Sequence, residues 1–204
     1  MKRMKHPNIG RLYYTFQVGA VTCCHPAHRA LIGGACVLPQ DQFNLYFGLE
    51  LLPCGELWHK LMDKNKCQVG LFESQTRFYT AEIINALEYL RSQNIAHRDL
   101  KPENLMVSVT GHLKLIDFGT AKNLSDPKLN GPNFVGTPEY MPPEIFHNKG
   151  TEVDSTCDLW ALGCCIYQLL SGETPFKTGS PYLTFKRARK GESWLTAATP
   201  VDNP

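Results

Sequence analysis

Two short polar motifs, separated by apolar residues, place the strongest constraint on how this 204-residue chain can fold. The first runs His97-Arg98-Asp99-Leu100-Lys101-Pro102-Glu103-Asn104, and the second, Asp117-Phe118-Gly119, begins thirteen residues after Asn104. Between them, residues 105–107 and 113–116 are apolar runs that flank a turn-forming segment, a pattern typical of a β-hairpin. Because a hairpin brings its two ends together, we expect Asn104 and Asp117 at one edge of the structure.

The residue types in these motifs suit phosphoryl transfer. Asn104 and Asp117 offer an amide and a carboxylate oxygen, the ligands that Mg²⁺ prefers. Asp99 is the candidate to orient an attacking hydroxyl and accept its proton, and Lys101 can reach a transferring phosphate as a point charge. The competing interpretation makes both aspartates turn or cap residues. Both motifs together, followed by Pro142-Pro143-Glu144, favour the chemical interpretation.

Apolar periodicity predicts the elements around these motifs. Residues 45–50 read as a strand, which Pro53-Cys54-Gly55 ends before a short helix at 56–62. A longer helix is predicted from an N-cap at Ser74 to about residue 93. Residues 158–170 are apolar nearly all round and predict a buried helix, with Trp160 in the core.

Composition excludes several classes of protein. A chain with 43% hydrophobic residues and a net charge of +2 can bury a core, and its length favours one domain. No basic block indicates nucleic-acid binding, and the longest apolar run, residues 159–170, is too short to span a bilayer. No apolar signal core follows the basic start of the sequence. Eight cysteines without framework spacing favour reduced thiols in a cytoplasmic protein.

Further segments make the interpretation narrower. The chain closely resembles the 3-phosphoinositide-dependent protein kinases, which are AGC-type serine/threonine kinases, over most of residues 1–17 and 41 to about 190. The segments that carry this resemblance, besides the two motifs, are Arg77-Phe78-Tyr79-Thr80-Ala81-Glu82-Ile83, Ala86-Leu87-Glu88-Tyr89-Leu90, Phe134-Val135-Gly136-Thr137 and Asp158-Leu159-Trp160-Ala161-Leu162-Gly163-Cys164. The resemblance implies an α+β, protein-kinase-like fold that is truncated: a remnant of the small β-rich N-lobe plus an incomplete, mainly helical C-lobe.

The resemblance also implies a domain organisation. Residues 1–190 would form a partial protein kinase domain, with an N-lobe remnant and hinge at 1–52, an insert at 18–40 and the C-lobe at 53–190. Residues 191–204 would be a divergent tail. A Gly-rich loop and a strand lysine paired with a helix glutamate do not occur in residues 1–204, so we expect severely impaired catalysis from the chain as written.

The function implied by the resemblance is transfer of the ATP γ-phosphate to Ser or Thr of protein substrates, in that family the activation segments of other AGC kinases. ATP and Mg²⁺ are the implied cofactors, and membrane recruitment would need a module that these residues lack. The alternative is a catalytically impaired fragment that binds nucleotide or scaffolds partners. A non-kinase interaction domain is a third possibility that the two acidic motifs disfavour.

Site residues follow from the resemblance by position. Leu49 corresponds to the gatekeeper, residues 50–52 to the adenine hinge, Glu56 to a ribose contact and Met106 to the floor of the adenine pocket. Ordinary core positions would account equally well for Leu49, Leu52 and Met106. Thr137 and Lys101 would lie near the substrate hydroxyl. The full implied nucleotide-binding set is Leu49, Glu50, Leu52, Glu56, Lys101, Glu103, Asn104, Met106 and Asp117, of which Asn104 and Asp117 would bind the metal.

The insert at residues 18–40 has three interpretations. A retained intron is one, because the segment is in frame, and a valine codon begins with GT while a glutamine codon can be CAG. A surface loop is another, since hairpin loops tolerate insertions at small entropic cost. Zinc binding is the third, but the spacing of Cys23, Cys24, His25, His28 and Cys36 matches no structural template.

Asn133 marks a difference in regulation. Members of the resembled family carry a phosphorylatable serine at this position, and Arg98 would normally receive its phosphate. Asparagine brings no charge. We therefore expect loop order here to be independent of phosphorylation at residue 133.

Overall fold

The computed structural model describes residues 4–17, 45–61, 70–125, 134–147 and 154–192. The predicted insert, Asn133 and residues 193–204 of the predicted tail lie outside these ranges. The chain divides into two compact units, one formed by Met1–Met4 and Arg11–Leu51 and the other by Lys5–Gly10 and Leu52–Pro204. The described residues contain no helix that is both long and apolar enough to cross a membrane.

The smaller unit is built on one antiparallel pair. Strand β1 (Leu12–Gln17) pairs with β2 (Leu45–Leu49), in a register that sets Thr15 opposite Phe47. A bulge shifts the register between Leu12 and Tyr14. Beyond the strands, the Glu50 backbone N–H donates to the Arg11 carbonyl at 2.9 Å. The strand predicted at 45–50 is confirmed to within one residue.

The larger unit is mainly helical, and its described strands form two short antiparallel pairs, β3–β6 and β4–β5. In chain order its elements are α1 (Leu57–Leu61), α2 (Glu73–Ser92), β3 (Ile95–Ala96), a 3₁₀ turn (Pro102–Asn104), β4 (Leu105–Val107), β5 (Leu113–Leu115), β6 (Lys122–Asn123), a second 3₁₀ turn (Pro138–Tyr140), α3 (Glu144–His147), α4 (Thr156–Ser171) and α5 (Pro181–Lys190). The predicted helix at 56–62 corresponds to α1, although Met62 lies outside the described residues.

Helix α2 buries one face, but two of its apolar residues, Phe78 and Ile84, are about half exposed (47% and 48%). Its buried positions recur every three or four residues, which places one face against α4 and β5. The predicted helix is confirmed and ends within one residue of the prediction, but the predicted N-cap is wrong by two residues. Phe72 occupies the cap position in an extended conformation and makes no side-chain cap bond. Ser74 therefore falls inside the first turn.

Helix α4 packs against α2 and the 3₁₀ turn at Pro138–Tyr140. Cys165 and Leu169 are fully buried, whereas Leu159 and Leu170 are about half exposed (52% and 45%). The helix predicted at 158–170 is confirmed, but its uniform apolar composition does not reveal which side of it the described residues cover. Trp160 is half-buried and stacks on Phe176 with ring centroids 5.4 Å apart.

The hairpin of β4 and β5 is confirmed. Leu105 pairs with Leu115 and Val107 with Leu113, and Gly111, with φ of 85°, supplies the left-handed turn residue. The Ile116 N–H donates to the Asn104 carbonyl at 2.9 Å. The expected closeness of the two motifs is thus present, because each begins or ends at the same end of this hairpin.

Candidate active site

The loop that carries the first motif donates backbone hydrogen bonds to a buried carboxylate. Asp158, near the start of α4, is 3% exposed, and its two oxygens accept the backbone N–H groups of His97 at 2.7 Å and Arg98 at 2.8 Å. Arg98 has a left-handed φ of 69°, which is costly for a residue with a side chain. Two charge-assisted hydrogen bonds offset that cost and fix the direction in which Asp99 leaves the backbone.

His97 joins the two motifs. Its Nδ1 accepts the Asp99 backbone N–H at 3.3 Å, which assigns the proton to Nε2, and Nε2 donates to the Ile116 carbonyl at 3.0 Å. The ring is fully buried and meets Phe118 edge to face with centroids 4.9 Å apart. The loop and the second motif are therefore packed as one piece.

Asp99 is the centre of a compact polar cluster. Its Oδ1 accepts the Thr137 hydroxyl at 2.7 Å and its Oδ2 lies 2.9 Å from Lys101 Nζ. The Asn104 amide nitrogen donates to Oδ2 at 3.1 Å and to the Asp99 carbonyl at 2.8 Å. Lys101 Nζ also donates to the Thr137 hydroxyl at 2.8 Å, which closes a triangle of contacts.

The cluster determines the charge of Asp99. Burial, the largest single influence, raises the pKa of this carboxyl, but hydrogen bonds from Lys101, Thr137 and Asn104 together with the charge of Lys101 outweigh it. The pKa of Asp99 consequently lies below its ordinary value. An aspartate in this state is ionised at neutral pH and can accept a proton from a hydroxyl.

Asn104 and Asp117 fit a magnesium ion chemically. The amide nitrogen of Asn104 is directed at Asp99, so its amide oxygen is the group left as an acceptor. Asp117 has a left-handed φ of 56°, and its Oδ1 accepts the Gly119 N–H at 3.1 Å. Within the described ranges no three His, Cys, Asp or Glu side chains cluster as a metal site. Two oxygen donors are nonetheless the usual protein share for Mg²⁺ held with phosphates.

The remaining predicted nucleotide contacts fall in two places. Leu52, Glu56 and Met106 belong to the larger unit, where Glu56 and Met106 form a β-bridge and the Val107 N–H donates to the Gly55 carbonyl at 2.9 Å. Leu49 and Glu50 lie in the smaller unit. Their roles in nucleotide binding stay predictions.

Glu103 faces a different space from the other predicted contacts. It lines a cavity of about 450 Å³ together with Thr137 and Tyr140. Its Oε2 is buried with no hydrogen-bond partner among the described residues. Its predicted contact with nucleotide also stays a prediction.

Two structural contributors went unrecognised in the sequence. The Thr120 hydroxyl donates to the His97 carbonyl at 3.0 Å, and the Arg98 Nε donates to the Thr120 carbonyl at 2.6 Å. Nothing in the sequence distinguishes this threonine. Gly136 has φ of 113°, and a Cβ there would lie 2.4 Å from the Arg98 carbonyl oxygen. A glycine just before the Thr137 segment was the available signal.

Comparison with known proteins agrees with this geometry. The family model described as "Protein kinase domain" matches residues 1–199. The chain is 38% identical to 3-phosphoinositide-dependent protein kinase 1 of Arabidopsis thaliana over 92% of its length, covering 34% of that relative. It is 42% identical to the Homo sapiens protein of the same name, covering 94% of this chain and 30% of the relative. It is 41% identical to 3-phosphoinositide-dependent protein kinase B of Dictyostelium discoideum, covering 93% of this chain and 18% of that relative.

The fold and the polar cluster define a protein kinase domain of the α+β class. The chain belongs to the protein kinase family, and the relatives it matches are 3-phosphoinositide-dependent protein kinases. It spans about a third of the length of the first two of these relatives. The family expected from the motifs is confirmed.

Proposed function

We propose that this protein transfers the γ-phosphate of ATP to serine or threonine hydroxyls of protein substrates. The observation that carries the proposal is the environment of Asp99, whose carboxylate is held by Thr137 and Lys101 with its pKa below the ordinary value. A substrate hydroxyl that replaces the Thr137 contact would meet an ionised acceptor. Lys101 would remain 2.9 Å from the same carboxylate and present its charge to the transferring phosphate.

Mg-ATP is the proposed cofactor. When bound, the metal would neutralise charge on the phosphate oxygens. Asn104 and Asp117 are the proposed ligands, since each has an oxygen that the described contacts do not occupy. Leu49, Glu50, Leu52, Glu56 and Met106 are the proposed adenosine contacts, and Lys101 and Glu103 complete the proposed set.

The proposed substrates are activation segments of other AGC kinases in the cytoplasm. The proposal of these substrates rests on the likeness to the 3-phosphoinositide-dependent kinases. Burial of Cys157, Cys164 and Cys165 as free thiols is compatible with a reducing compartment. No step of the proposed reaction uses these cysteines.

A phosphotransfer assay tests the function. The protein would be incubated with Mg-ATP and a peptide from an AGC activation segment, and a copy with Ala in place of the acceptor Thr would be the control. Because residues 1–204 contain neither a Gly-rich loop nor a strand lysine paired with a helix glutamate, we expect slow phosphate transfer to the threonine, and a further loss of roughly 10²- to 10⁴-fold in rate for Asp99→Asn. Equal rates of transfer by the wild type and Asp99→Asn, or no transfer by either, would contradict the proposal. Mg-ATP binding by the wild type without phosphate transfer would favour a scaffolding role.

A further inference from the structure

Helix α5 is strongly basic. Lys186, Arg187, Arg189 and Lys190 lie in its second half, and no acidic residue lies within the helix. Glu192, just beyond it, pairs with Lys190 at 3.2 Å. The chain as a whole carries a net charge of only +2. The positive charge of this helix is therefore a local feature and does not follow from the overall composition.

The exposed side of the helix combines these cations with apolar groups. Thr184 and Ala188 are buried, so the opposite side carries the accessible residues. Tyr182 is 72% exposed and Leu183 48% exposed at the amino end. We call this surface the basic face; it consists of Tyr182, Leu183, Lys186, Arg189 and Lys190.

Helix stability alone does not account for the basic face. Cations in a last turn interact favourably with the helix dipole, but Lys186 and Lys190 are like charges four residues apart and repel each other. Neither Lys186 nor Arg189 has a hydrogen-bond or ion-pair partner among the described residues. The dipole also gives no reason for exposing Tyr182 and Leu183 beside these charges.

Helix α5 packs against the segment that reaches the candidate active site. Phe185 of α5 meets Phe134 edge to face with centroids 6.0 Å apart, and α5 packs against the 3₁₀ turn at Pro138–Tyr140. Between these two contacts lies Thr137, which donates to Asp99. A partner bound to the basic face would therefore lie on a helix that packs against the turn directly after Thr137.

We propose that the basic face binds an acidic segment of the protein substrate, with Tyr182 and Leu183 contacting an apolar residue of that segment. The choice of a substrate as the occupant rests on the proposed function and on the packing of α5 against the turn that follows Thr137. Charge complementarity identifies the chemistry: carboxylates would pair with Lys186 and Arg189, whose charges the described residues leave uncompensated. Such rim contacts increase association rate and selectivity.

Direct binding tests this inference without requiring catalysis. A short fluorescent peptide rich in Asp and Glu, with two leucines, would be titrated with the full chain and followed by fluorescence anisotropy. The control peptide has Asn and Gln at the acidic positions. The variants are Lys186→Glu/Arg189→Glu and the milder Lys186→Gln/Arg189→Gln, and the matched control is Lys5→Glu/Arg91→Glu, two exposed cations elsewhere in the larger unit.

We expect the acidic peptide to bind and the amide peptide to bind at least about fivefold more weakly. Lys186→Glu/Arg189→Glu should weaken binding by roughly tenfold, the Gln variant by less, and the control by under about twofold. Affinity should also fall as salt rises from about 50 to 300 mM. Circular dichroism of each variant would verify that the fold is retained.

Equal affinity of the wild type and both α5 variants for the acidic peptide would overturn the inference. So would loss of binding to phosphatidylserine vesicles in those variants with peptide binding unchanged, since the face would then serve a membrane surface. Peptide binding that depends on α5, in a protein that transfers no phosphate, would instead contradict the proposed function and leave the acidic docking site standing.

Discussion

Replacing Asp158 should loosen the catalytic loop and destabilise the protein measurably. The carboxylate accepts two backbone N–H groups, and hydrogen bonds to a charged group contribute about 1.5–3 kcal/mol each. Asp158→Ala loses both but no longer buries a charge, so we expect a net loss of about 2–4 kcal/mol in the free energy of unfolding. Asp158→Asn keeps one acceptor and should cost about 1–3 kcal/mol.

Two measurements test this prediction. Urea denaturation followed by circular dichroism gives the free energy, and the Ala variant should melt roughly 4–16 °C below wild type. Hydrogen exchange should separately show faster exchange at His97 and Arg98 than the global loss explains. Glu88→Gln is the matched control, because Glu88 is an exposed carboxylate on α2, and it should change stability by no more than about 0.5 kcal/mol. Losses of stability for Asp158→Asn and Asp158→Ala as small as that of the control would refute the stabilising role of the two hydrogen bonds to Asp158.

Other perturbations give sharp outcomes. Gly136→Ala should destabilise the protein by about 1–3 kcal/mol, because φ of Gly136 is 113° and the new Cβ would lie 2.4 Å from a backbone oxygen. The control Gly163→Ala in α4, where a Cβ meets nothing within 4 Å, should be neutral or stabilising. Equal denaturation midpoints for the two variants would contradict this difference. Lys101→Ala should move the acid limb of the pH–rate profile to higher pH, because removing the hydrogen bond and charge of Lys101 raises the pKa of Asp99. An acid limb at the wild-type pH would refute the pairing of Asp99 with Lys101. In native protein at pH 8, maleimide should label the exposed Cys54 before the buried thiols, because they are less accessible and burial raises the pKa of Cys164 to about 12. Equal labelling rates would contradict the burial of these thiols. Among the residues that the structure describes, the buried thiols are Cys157, Cys164 and Cys165.

Local patterns predicted the elements well where the chain alone sets them. Helix α2 and the hairpin of β4 and β5 both followed from apolar spacing, although Phe78 and Ile84 of α2 are about half exposed. The N-cap of α2 did not, because Ser74 has the right chemistry while Phe72, two residues earlier, occupies the cap position. The residue that occupies a cap depends on how the preceding loop packs, and the 3.6-residue period does not contain that information.

The candidate site was predictable in residue type but not in contacts. Asp99, Asn104 and Asp117 were identifiable from the motifs, yet the hydrogen bond from Thr137 joins residues 38 positions apart. Such a contact depends on how the segment after Phe134 packs against the loop. The hydrogen bond from the Arg98 backbone N–H to Asp158 likewise joins residues 60 positions apart. Sequence spacing carries no direct record of either distance.

We propose that Asp99 serves the chemical step while Asp117 serves the metal. The most direct test measures Mg-ATP affinity and single-turnover phosphate transfer in the same preparations of wild type, Asp99→Asn and Asp117→Asn. We expect Asp99→Asn to bind Mg-ATP within about twofold of wild type and to transfer phosphate roughly 10²-fold or more slowly. Asp117→Asn should lose the Mg²⁺-dependent part of ATP binding. Transfer at the wild-type rate by Asp99→Asn would contradict the account.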